Sequence, residues 1–206
     1  MHAPRCNLRW LVAASAIAAL SGCASGPQLD AQWSDPSLGP GLLRGARVLV
    51  ACDAAELVVR QICQDQLANE VVARGATPVF VPPETAIATD RSIDAQLLSA
   101  ARDNGAKAMV IMTVAVAVQD VSPPFTIGIG GFGYGGSGSA GVGVSAPVGG
   151  GRVTSGYSAN GRVTDVSSGR LAWTAKATSP PSGDVNAQMT ELSRAVLAAA
   201  DRAGLF

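Results

Sequence analysis

The chain has 206 residues, enough for one domain with a sizeable core. Its 15 Lys and Arg balance 15 Asp and Glu, which excludes a basic field for nucleic acid and a polybasic patch for anionic lipid. Its one histidine is His2, so the body of the chain lacks the usual general base, the Ser-His and Cys-His dyads and the commonest zinc ligand.

Residues 1–22 read as a signal peptide. Arg5 and Arg9 precede an apolar run from Trp10 to Leu20, well short of the ~20 residues that a bilayer-spanning helix needs. Small residues at Ser21 and Gly22 then lead to Cys23. Leu20-Ser21-Gly22-Cys23 resembles the lipobox of bacterial lipoproteins. That resemblance implies cleavage before Cys23, a diacylglycerol on its sulfur and a third acyl chain on the freed amine. Two or more such chains anchor stably where one does not. Ala24 follows, not an aspartate, which by the same resemblance implies the outer membrane with the body facing the periplasm. The alternative is an ordinary cleaved signal with a cysteine there by chance.

Residues 23–44 read as the lipidated end and a flexible tether, since 24–41 are rich in Gly, Pro, Ser and Asp without periodicity. Trp33 within them either docks on the domain or sits loose near the membrane. Residues 45–206 form one α/β domain. Arg47–Ala51 is a buried strand. Leu57–Arg74 has helical spacing, with Leu57, Ile62, Leu67, Val71 and Val72 on one stripe, ion pairs Glu56–Arg60 and Glu70–Arg74, and Gly75 as its stop. Pro78–Val81 is a second strand, Asp90 caps a helix running to Asn104, and Ala108–Gln119 is a third strand. Two right-handed crossovers make these three strands parallel.

The insert 126–151 is glycine-dominated. Ile127, Ile129, Val142 and Val144 alternate with small residues, suggesting two thin strands around a Phe132–Ser139 tip. Such a hairpin would order against an envelope protein partner, a membrane surface or a sister subunit; the alternative is a mobile loop with no binding role. From Val153 to Val163 alternation is strict. Leu171, Trp173, Ala175 and Ala177 face inward on the last strand, and Asp184 caps a helix with Met189, Leu192, Val196 and Ala199 on its apolar side. The expected architecture is a two-layer α/β sandwich: a mixed sheet of about five strands, three parallel and two antiparallel, with three helices over one face.

The segments GAKAMVIMTV and GRVTDVSSGRLAWTAKA, the glycine-rich insert between them and the closing helix resemble an uncharacterised family of bacterial outer-membrane lipoproteins. More distantly they are similar to the amino-terminal domain of TolB and to the soluble core of the curli secretion lipoprotein. The resemblance implies fold and compartment, and it brings no catalytic residues.

Of the four cysteines, Cys6 leaves with the signal and Cys23 takes lipid. Cys52 and Cys63 then pair most simply, in an oxidising periplasm. A helix beginning directly after Cys52 would carry Cys63 about 15 Å away, beyond the ~7 Å limit between Cα atoms. The pairing therefore requires the chain to fold back after Cys52; the alternative is two free buried thiols.

Other candidate chemistry is sparse. Gly128–Gly133 matches G-x-G-x-x-G, but more glycine follows where a dinucleotide loop needs a helix. Lys107 and Lys176 would have to supply a Ser-Lys dyad. Asp90 and Asp94 sit where a helix dipole favours them. Asp53, at the carboxyl end of the first parallel strand, either faces a ligand or caps the following helix. We expect no catalytic residue, metal, cofactor or nucleic acid, and a lipid-anchored, non-enzymatic accessory or binding module. The alternatives are an oligomeric export or channel component assembled through the glycine-rich hairpin, and an unrecognised hydrolase.

Overall fold

A computed structural model describes residues 26–37, 39–81, 92–122, 125–128, 145–148 and 152–206. In chain order the elements are β1 (Gln28–Ser34), β2 (Arg47–Asp53), α1 (Leu57–Ala73), β3 (Thr77–Phe80), α2 (Ile93–Asp103), β4 (Ala108–Ser122), β5 (Phe125–Gly128), β6 (Ser145–Val148), β7 (Arg152–Asp165), β8 (Leu171–Thr178) and α3 (Val185–Arg202). Six strands form one mixed sheet in the order β1-β8-β7-β4-β2-β3, and β5 and β6 pair separately. The α/β class, the three parallel strands and the three helices agree with expectation. The sheet has six strands rather than five.

The sixth is β1, which lies inside the stretch expected to be tether. It pairs antiparallel with β8, from Gln28 opposite Thr178 to Ser34 opposite Trp173. All seven of its residues are exposed, so it needs no apolar stripe; β8 supplies its backbone partners. A register shift at Asp30 and the bond from Thr178 Oγ1 to Asp30 Oδ2 (2.6 Å) irregularise this edge, a common defence of an open strand. Trp33 pairs through its backbone with Thr174 and is 49% exposed. Farther on, Leu43 is fully buried and bonds Leu205 N–H to C=O across the two ends of the domain (Leu43 N to Leu205 O, 2.7 Å).

The helices do not share a face. Val48, Val50, Cys52, Val110, Met112 and Val114 point to the face covered by α1 and α3. Leu49, Ala51, Met109 and Ile111 point to the other, beneath Ile93, Leu97 and Ala101 of α2. The strand order explains the split. The chain steps outward from β2 to β3, then back across β2 to β4. Two right-handed crossovers run in opposite directions place their helices on opposite faces. Asp94 in the first turn of α2 ties that helix to β7, accepting from Thr164 Oγ1 at 3.0 Å and pairing with Arg162 at 2.9 Å.

On α1 the buried stripe is Val59, Cys63, Leu67 and Val71, while Leu57 and Val72 are exposed. Arg74 makes its expected pair with Glu70, but Arg60 donates to the Ala54 carbonyl. The second half behaves as expected. Tyr157, Ala159, Val163, Trp173, Ala175 and Ala177 are buried under α3, whose Met189, Leu192, Val196 and Ala199 meet them. Asp184 caps α3 by accepting from Ala187 N–H at 2.9 Å. Gly161 sits beneath Val196, and a Cβ there would collide with its Cγ1. Asp165 closes the β7–β8 turn by accepting from the amides and hydroxyls of Ser167 and Ser168, with Gly169 at φ 69° completing it.

Candidate functional site

Because β2 and β4 are neighbours whose connections leave in opposite directions, their carboxyl ends mark the switch point of the parallel part of the sheet, where α/β folds place ligands. The antiparallel strands bring more of the chain to the same end. Gln28 pairs with Thr178, Thr178 with Ser158, and Ser158 with Ala115, one row across β1, β8, β7 and β4. The amino end of the described chain, the amino end of α1 and that of α3 all meet here.

The Cys52–Cys63 disulfide is formed, with its Cα atoms 6.0 Å apart. Ala54–Glu56 make the fold-back that the pairing required, and the helix starts at Leu57. The bond fastens the end of β2 to the second turn of α1. Beside it lies a cavity of about 50 Å³ between Ala54, Glu56, Val59, Val114, Val116 and Tyr157. That is room for a water or two, against the ~300 Å³ or more of a small-molecule site. Burial pushes the Tyr157 hydroxyl above its ordinary pKa, and the Glu56 carboxylate adds to the rise.

Asp53 stands half-buried at the end of β2, in register with Thr113, and does not line this cavity. Lys107 at the foot of β4 and Lys176 on β8 are exposed and far apart in the sheet. The geometry does not gather these candidates into one centre. Among the described residues no group of three or more His, Cys, Asp and Glu side chains is placed to hold a metal ion. Gly128 ends β5; the rest of the G-x-G-x-x-G match, Cys23, Asp90, Ile129, Val142, Val144 and the Phe132–Ser139 tip lie outside the described residues. Of the residues expected on two thin strands around that tip, Ile127 alone is described, on β5, which pairs with β6 from Phe125 opposite Val148 to Gly128 opposite Ser145.

What the end of the sheet does carry is apolar surface. Above the row at Ala115, β4 keeps β7 as its strand partner up to Ser122 opposite Arg152, while the far edge of β7 stays covered as far as Ser155 by bonds from Ser179 and Ser182. A bulge between Val116 and Val118 breaks the alternation of the strand. Val116 and Val118 are 47% and 49% exposed, and Leu57 and Val58 on α1 are 73% and 61% exposed. Val118 also borders a groove of about 380 Å³ with Gly26, Gln28, Thr178, Pro180 and Pro181. Leu57 was expected on the apolar stripe of α1 and is exposed instead. Strand length is the sequence signal for the exposed valines: the apolar run of β4 outlasts β2, so its end has no parallel neighbour to cover it.

No family model and no curated protein matches the chain. Among solved structures it is similar to the PelC dodecamer from Paraburkholderia phytofirmans, with 18% identity, a TM-score of 0.48, and 83% of this chain and 94% of that chain covered. A point variant of that dodecamer is similar at 17% identity and a TM-score of 0.47, over 83% of this chain and 95% of the other. At that distance neither family nor activity follows.

Proposed function

We propose that the chain is a lipid-anchored lipoprotein of the bacterial envelope, held to the periplasmic side of the outer membrane through Cys23, whose folded body is a non-enzymatic accessory or binding module. One observation carries the reading: Leu20-Ser21-Gly22-Cys23 directly behind a charged-then-apolar leader. Two features support it. The Cys52–Cys63 disulfide suits an oxidising compartment, and the carboxyl edge of the sheet presents apolar side chains to be covered rather than a polar cluster. Replacing Cys23 by Ser should abolish labelling by a palmitate analogue and release the protein from the membrane fraction. Labelling that persists in Cys23→Ser would refute the anchor.

A second reading is an oligomeric export component, assembled through the glycine-rich insert. The observation in its favour is the β5–β6 hairpin, which is separate from the six-stranded sheet and leads into that insert. Light scattering after size exclusion decides it, with and without residues 126–151. A monomer in both cases removes the oligomer, whereas a ring that dissolves on deletion establishes it.

A further inference from the structure

The placement of β1 has a consequence for how the body sits. Gly26 and Gln28 lie in the groove beside Val118, at the carboxyl end of the parallel strands. From Cys23 to Gly26 the chain takes three Cα steps, so Cys23 is at most about 11 Å from Gly26. A lipidated Cys23 therefore cannot let the body drift. It holds this one end of the sheet against the bilayer surface.

The same end carries the uncovered grease. Of eight large apolar side chains exposed among the described residues, Val116 and Val118 stand on β4 past its row with Ser158, and Leu57 and Val58 open α1 beside the end of β2. The β4–β7 ribbon projects seven residues past Ala115, about 23 Å at the rise of a strand. It thus spans more distance than the short link to Cys23 leaves open. Among the described side chains, the exposed charges at its border are Asp30, Glu56 and Asp120, which do not draw it to anionic headgroups. Apolar contact seats it, made cheap by the tether, which holds the ribbon at high effective concentration next to lipid.

We propose that the β4–β7 ribbon beyond Ala115, with Val116 and Val118, rests in the lipid surface to which Cys23 is anchored, so that the body stands carboxyl edge down. The inference rests on the lipid-anchor reading above. The test uses the full chain in cells, with the photo-crosslinking residue benzoylphenylalanine at position 116, 118 or 119, and at exposed positions 107 and 202 at the opposite end. Clickable phospholipid reports adducts; the acyl mass on Cys23 is read from the same preparations, and protection of Cys52 and Cys63 from alkylation shows that each variant is folded.

With Cys23 acylated, positions 116, 118 and 119 should give several-fold more phospholipid adduct than 107 and 202, unchanged by added salt. Adducts equal at the two ends, or lost in salt, overturn the proposal. So does a ribbon that crosslinks only to another protein or to a second copy of this chain. An unacylated Cys23 instead removes the anchor reading itself, and the acyl mass tells the two failures apart.

Discussion

The lower and upper halves of the same two strands behave as different materials. Below Ala115, β4 and β7 lie between helices: Val110, Met112 and Val114 face α1 and α3, and Met109 and Ile111 face α2. Above it β4 keeps its backbone ladder with β7 and loses its helix cover, with residues 115–120 exposed, while Tyr157 and Gly156 opposite them stay buried. Past Ser155 the two strands have only each other, and backbone pairing alone makes a two-stranded ribbon marginal in water. The lower half therefore holds the fold, and the upper half is available for contact at little cost to it.

Substitutions should divide along that line. The largest effect belongs to Trp173→Ala, since this fully buried ring stands at the centre of the α3 face. A loss of about 3–5 kcal/mol is expected, read as a lower urea midpoint with an unchanged slope. Opening Cys52–Cys63, by reduction or by paired alanines, should lose about 2–3 kcal/mol, because it closes a loop with a separation of 11 residues. Gly161→Ala should cost about 1–3 kcal/mol through overpacking against Val196. Trimming the partner in Gly161→Ala/Val196→Ala should cost less than the sum of the single changes.

A smaller effect is pH-dependent. Burial alone would raise the pKa of Asp165, but hydrogen bonds from Ser168 and Ser167 outweigh it and hold the carboxylate below its ordinary 3.8. The folded state thus binds this proton less readily than the unfolded state. Its contribution is full above the unfolded pKa and is lost as pH falls through 3.8 and below. Asp165→Asn should flatten that part of the acid limb in unfolding followed from pH 6 downward. Smallest of all, Val116→Ser and Val118→Ser should each change folding stability by under about 0.5 kcal/mol. A change as large as that of Trp173→Ala would erase the distinction between the two halves.

The lower half was legible in the sequence because burial leaves a period. Tyr157, Ala159 and Val163, then Trp173, Ala175 and Ala177, alternate as a half-covered sheet requires, and Asp184 stands one residue before an apolar stripe. Elsewhere the period was ambiguous. Leu57, Val58 and Val59 are three apolar residues in a row, and composition cannot choose which faces inward. The disulfide does, since Cys63 selects Val59, Leu67 and Val71 at spacings of four. The assignment of all helices to one face overlooked strand order, which no local pattern encodes. β1 escaped notice because an exposed edge strand needs no periodicity. At the carboxyl edge Asp53 was open between facing a ligand and capping a helix, and the exposed feature there is apolar and belongs to the end of β4 beyond β2.

The lipid on Cys23 decides whether this is a membrane-held protein, and the intact mass of the chain extracted from native envelopes reads it out. The expected mass is that of a chain beginning at Cys23 plus a diacylglycerol and one further acyl group. A chain that carries no acyl mass and is recovered from the soluble fraction would contradict it.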